Sequence, residues 1–239
     1  MRSVSIRLAA CVLALGIAAA ASAQMDPIVK SICDKWDPAK QAIKDMTMTG
    51  TMDAQTPDGA MKMDLVIKRK GEKVRTDINV NGMTMSNIYD GKDSWMITPM
   101  GVQRAPAGQP NPGQSFNDTL PADAKVTGSA SVSGRDCHVI EYKDPKNGTP
   151  VKLWVDKKTL SPVKSETMNG TKLMTVLFSD HRKVTGNYEV PFKIDMQQEG
   201  KTMGAMTISS VAVNTGLADD LFVPKAPAGG MGMPMMPQR

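Results

Sequence analysis

The sequence predicts a mainly β protein with a few helices. From residue 46 onward, apolar residues recur at every second position, the period of a half-buried strand. Asn81-Gly82, Asn147-Gly148 and Asn169-Gly170 punctuate that run with two-residue hairpin signals. Strand-like segments recur roughly every 10–14 residues, giving about eleven strands and a single large sheet. With 239 residues, 41% of them apolar, the chain is long enough to bury a core.

Residues 1–23 read as a secretory signal peptide. Arg2 and Arg7 form the basic start, Leu8 to Ala21 the apolar run, and Ala21-Ser22-Ala23 the small-residue cleavage site. Leu8-Ala9-Ala10-Cys11 has the letters of a lipidation box but opens the apolar run instead of following it. Cleavage after Ala23 places the mature chain in the periplasm with a net charge of +3. It keeps Cys33 and Cys137. In an oxidising compartment this even pair invites a disulfide, against the alternative of two buried thiols.

Met25, Ile28, Val29, Ile32, Cys33 and Trp36 form one apolar stripe at helical spacing. Asp37-Pro38 has the form of an N-cap followed by a proline at the first helical position. A kinked or broken helix pair over 25–45 is therefore expected, its second half carrying Ala39, Ala42 and Ile43.

Alternation then takes over. Met46, Met48 and Met52 alternate with polar residues. Met61, Met63, Leu65 and Ile67 face away from Lys62, Asp64 and Lys68. Val74, Thr76, Ile78 and Val80 form the next stripe, and Met83 to Tyr89 returns across Asn81-Gly82. Asp90-Gly91 turns into Ser94 to Met100, completing a meander. Residues 101–114, rich in glycine and proline, read as an irregular loop, and Ser115 to Asp123 as a short helix. Strand patterning resumes over 125–132, 137–143, 151–156, 163–168, 171–179, 188–197 and 201–213. Residues 225–239 carry Pro, Gly and Met without period and read as a disordered tail.

Enzyme chemistry finds little footing. No nucleophile elbow, phosphate loop or metalloprotease helix occurs, and the two histidines cannot build most zinc or haem sites. His181 lies beside Asp180 but has no evident nucleophile. A mild positive charge without interleaved aromatics argues against nucleic acid. The expectation is a non-enzymatic protein without a cofactor.

A resemblance sharpens the fold. Leu153-Trp154-Val155-Asp156, a short turn, and Thr159-Leu160-Ser161-Pro162-Val163-Lys164 are similar to a strand–turn–strand pattern of the LolA- and LolB-like periplasmic lipoprotein-carrier superfamily. So are Gly71-Glu72-Lys73-Val74-Arg75 and Tyr89-Asp90-Gly91-Lys92-Asp93-Ser94-Trp95. Asn187-Tyr188-Glu189-Val190-Pro191 and Leu221-Phe222-Val223-Pro224 resemble its late strand and closing segment. The resemblance implies that residues 24–224 form an open, strongly curved antiparallel half-barrel, with N-terminal helices over the concave face. It further implies a monomer that cradles a lipid or lipidated protein and meets an inner- or outer-membrane partner protein.

The candidate cavity then consists of Met61, Met63, Leu65 and Ile67, with Ile78, Val80, Met83 and Met85 from the neighbouring strands and Trp95 and Ile97 from the next. Methionine suits a deformable apolar lining, although ordinary core packing uses it too. Arg75, in the basic run Lys68, Arg69, Lys70, Lys73, Arg75, is a candidate partner for a ligand head group at the rim; a solvated turn is the plainer reading of that run. A second function stays open: Met231, Met233, Met235 and Met236 in the tail offer thioethers to soft Cu(I). So does a third, an envelope-stress sensor or structural partner on the same fold.

Overall fold

The computed structural model describes residues 25–56, 59–105, 120–145 and 148–225. Among the described residues one α-helix, α1 (Pro27–Gln41), precedes thirteen strands where the sequence predicts about eleven. They are β1 (Asp45–Thr56), β2 (Gly59–Lys70), β3 (Lys73–Val80), β4 (Met83–Tyr89), β5 (Ser94–Thr98), β6 (Gly101–Arg104), β7 (Lys125–Val132), β8 (Arg135–Lys143), β9 (Pro150–Asp156), β10 (Pro162–Asn169), β11 (Lys172–Thr185), β12 (Tyr188–Gln198) and β13 (Lys201–Val213). A 3-10 helix, Asp219–Phe222, follows.

All thirteen strands join in one sheet, in the order β6-β5-β4-β3-β2-β1-β13-β12-β11-β10-β9-β8-β7. Two meanders thus meet where β1 pairs antiparallel with β13, and among the described residues β6 and β7 are the edge strands. The loop expected at 101–114 begins instead with β6, and Leu120 to Ala124 turn without forming a helix. Residues 106–119 lie outside the described residues.

Hairpin chemistry sets the register. Asn81 and Gly82 have φ of 51° and 82°, the double positive φ of a two-residue turn that follows strand twist. Ser133-Gly134 and Glu199-Gly200 make the same turn, at 49° and 75° and at 50° and 74°. At Asn169-Gly170 the hairpin is present with the loop one residue on, since Asn169 pairs with Lys172.

The expected break at Asp37-Pro38 does not occur, and α1 runs through it. Its start uses the same chemistry eleven residues earlier: Asp26 Oδ1 accepts the Ile28 amide at 2.8 Å, and Pro27 takes the first helical position. Pro38 costs the ladder one bond, and the helix ends within a turn of it. Val29, Ile32, Cys33 and Trp36 pack on Ile140, Leu153 and Val155 of β8 and β9. Trp36 donates its indole N–H to the Leu160 carbonyl at 2.8 Å.

The disulfide invited by Cys33 and Cys137 is not formed. Cys33 packs against the β8 face that carries Ile140. Cys137 lies on the opposite face with Val139, Trp154 and Val163, so the sheet separates the two thiols.

The largest core unites Met46, Met48, Leu65, Ile67 and Val74 with Val190, Phe192, Ile194, Met206 and Ile208. These residues share one face of β3, β2, β1, β13 and β12. Among the described residues only Ile43, from the segment after α1, joins them from outside the sheet. Burial on one face of so many adjacent strands requires that face to be concave, so the open sheet curves into a half-barrel. Two glycines permit the bend. An added Cβ on Gly50 would lie 2.2 Å from the Thr207 carbonyl oxygen, and one on Gly204 would lie 2.5 Å from that of Asp53. Both sit beside β-bulges in the β1–β13–β12 ladder, where backbones approach too closely for any side chain.

Candidate functional site

The register assigns each expected cavity residue to a face. Leu65 pairs with Ile78, Ile78 with Met85, and Val80 with Met83, while Met63 and Met61 oppose Met52 and Ala54 of β1. Met61, Met63, Leu65, Ile67, Ile78, Val80, Met83 and Met85 therefore share the concave face. Arg75, Trp95 and Ile97 do not. Arg75 pairs with Ile88, Ile88 with Trp95, and Ser86 with Ile97, which puts all of them on the convex face.

There they serve a different purpose. Phe222, only 1% exposed, inserts against Ile88 and Ile97, with Trp95, Val102, Leu217 and Leu221 around it. Arg75 donates to the Leu221 carbonyl at 3.1 Å, to Asp77 at 2.7 Å and to Ser86 Oγ at 3.2 Å. Lys70 and Lys73 each reach Asp219 at 2.8 Å, and together they hold its carboxyl down to about 2. Lys68 pairs with Asp77 at 2.8 Å. Much of the basic run thus clamps the closing segment to the back of the sheet.

The concave face is graded along its strands. At one end lies a floor of Leu65, Ile67, Val74, Ile194 and Ile208, each 5% exposed or less. At the other end the side chains change to methionine. Met61, Met83 and Met85 are 39%, 60% and 38% exposed, and Met52, Met63 and Met196 are half-buried. Met196 and Met174 extend this lining across β12 and β11, since Met196 opposes Val176 in register and Met174 follows it on the same face. The sequence reading missed these two methionines. Their alternation with Gln197 and Thr175 was legible, but the alignment of Met196 with Met61, through Gly204 and Ala54, depends on the β1–β13 pairing. Among the described residues, the apolar face carries no carboxylate at this end. Such a surface can remove hydrocarbon from water.

Two other places lack that capacity. A crevice between Lys35, Trp36, Tyr188 and Glu189 holds about 10 Å³, room for one water. His181 is half-buried with its ring nitrogens shielded from solvent, and burial together with Arg135 pushes its pKa down. Asp180 turns to Arg182, at 2.6 and 3.0 Å, and so does not orient the imidazole. Met231, Met233, Met235 and Met236 lie outside the described residues.

The motifs behind the resemblance are turn locks. Asp90 accepts the amides of Lys92 and Asp93 at 2.8 Å and the Trp95 indole N–H at 2.9 Å. Asp156 accepts the amides of Lys158 and Thr159 at 2.8 Å. Burial pushes both carboxyls up, but these bonds prevail and hold them below the ordinary range.

An open, curved antiparallel sheet with a helix against one face is a LolA-like fold, and solved structures of that kind are similar to this chain. A LolA superfamily protein from Nitrosomonas europaea matches with a TM-score of 0.63 at 20% identity, covering 82% of this chain and 97% of that one. A domain described as an outer membrane lipoprotein-sorting protein, from Vibrio parahaemolyticus, gives 0.61 at 16% identity, covering 81% and 97%. A DUF1329 family protein from Desulfovibrio piger gives 0.61 at 17%, covering 83% and 98%. At these identities the likeness is one of fold. A family model described only as an uncharacterized protein matches residues 117–226, and no curated protein matches.

Proposed function

We propose that this chain is a periplasmic, non-enzymatic carrier or sensor that holds an acyl chain of a lipid or lipidated protein in the concave face of its half-barrel. The observation that carries the reading is the exposed methionine end, continuous with a buried aliphatic floor. Large apolar side chains gathered on one open face mark a binding surface. Each CH₂ placed there and removed from water contributes roughly 0.8 kcal/mol. Methionine is unbranched and polarizable, so the lining adapts to chains of different length. The fold of proteins described as lipoprotein-sorting supports the same assignment.

Titration of the purified chain with a fluorescent fatty acid tests it. Met63→Asp and Ile78→Asp, both at half-buried positions of the concave face, are expected to weaken uptake at least tenfold. Lys62→Glu, exposed on the other side of β2, is expected to leave it unchanged. Full uptake by both aspartate variants, with circular dichroism showing them folded, overturns the reading.

A further inference from the structure

We propose that Met61, Met83 and Met85 form a modification site at which two-electron oxidants, hypochlorous acid or a peroxide, switch the hollow off; this rests on the acyl-binding reading. The methionines are not spread evenly over the concave face. The floor is built largely from Leu, Ile, Val and Phe, and the open end from thioethers. A deformable lining accounts for thioethers at the open end, and it leaves there the side chains that such oxidants attack.

Accessibility divides the thioethers a second time. Met83 is 60% exposed, Met61 39% and Met85 38%, whereas Met46, Met48 and Met206 in the floor are 5%, 3% and 6% exposed. An oxidant from solvent therefore reaches the open end before the floor and spares the residues that hold the sheet together. The sulfur lone pair takes oxygen from HOCl, giving the sulfoxide, a proton and chloride. Sulfur loses two electrons and chlorine gains them; with hydrogen peroxide the other product is water. Each event converts a flexible apolar side chain into a polar one, and methionine sulfoxide reductases reverse it. Three polar sulfoxides at the entrance make the surface that must cover hydrocarbon hydrophilic, while the fold remains.

The test uses the full chain, with a fluorescent fatty acid as probe and graded additions of hypochlorous acid. Peptide mass mapping is expected to place oxygen on Met61, Met83 and Met85 before Met46, Met48 and Met206, and the probe Kd to rise at least tenfold. Met100, Met168 and Met203, exposed but away from the hollow, are expected to be oxidised too. A triple variant, Met61→Leu, Met83→Leu and Met85→Leu, separates their effect: its probe Kd, whatever its starting value, is expected to change by less than about twofold on oxidation. Treatment with methionine sulfoxide reductases and a dithiol, which is oxidised to its disulfide as each sulfoxide returns to the thioether and water, is expected to restore the wild-type chain. Equal binding before and after oxidation, or an equal loss in the triple variant, overturns the switch alone. A reduced chain that takes up no probe overturns the carrier reading and the switch with it.

Discussion

Asp45 opens β1 and is buried at 4% exposure. Its carboxylate accepts the backbone amides of Thr215 and Gly216 at 2.8 and 2.9 Å, the Thr215 hydroxyl at 3.1 Å, and the Leu217 amide at 3.3 Å. Burial pushes its pKa up, but those donors outweigh it and the carboxyl titrates below its ordinary value. A group whose folded pKa is depressed stabilises the fold above its unfolded value, about 3.9, and that contribution is lost as pH falls through the folded value. The melting temperature is therefore expected to drop below about pH 4. Asp45→Asn should melt lower at pH 6 and show a shallower acid decline; parallel curves would contradict this role. None of it was legible in the sequence, because Asp45 reads as the last residue of the helix pair expected over 25–45 until residues 215–217 are placed beside it. Arg75 differs. Its alternation with Val74 and Thr76 already put it on the other side of β3 from Ile78.

At the scale of elements, the local signals were read well and the long-range ones were not. Asn81-Gly82 fixes its own φ values, so the β3–β4 hairpin followed from two letters. Asp-Pro as a helix start was sound chemistry assigned to the wrong copy, because both Asp26-Pro27 and Asp37-Pro38 carry it and only packing of α1 on β8 and β9 chooses. The face of Trp95 and Ile97 was not legible, since β5 is a short strand whose orientation depends on Ile88 pairing with Trp95. The motif Leu221-Phe222-Val223-Pro224 was recognised as a closing segment; its seat on the convex face was not. Phe222→Ala is expected to cost about 3–5 kcal/mol. Hydrogen exchange should show the loss of protection first in β3 to β5 and residues 215–225, with α1 unchanged. Uniform loss across the sheet would contradict a local strap.

At the scale of the molecule, β1 meeting β13 converts two meanders into one curved surface, and Gly50 and Gly204 allow the backbones to close there. Strand count and alternation were readable, but curvature was not; it came through the family resemblance, and the solved structures bear it out as fold. Curvature is also what turns scattered methionine pairs into a single lining. The half-barrel is proposed to hold hydrocarbon in that lining in the periplasm. Native mass spectrometry of the chain produced in the periplasm and purified without detergent tests this most directly. The account predicts an adduct in the mass range of a fatty acid or phospholipid, lost in Met63→Asp. A wild-type chain that flies only at its bare mass, and gains none when offered lipid, would contradict it.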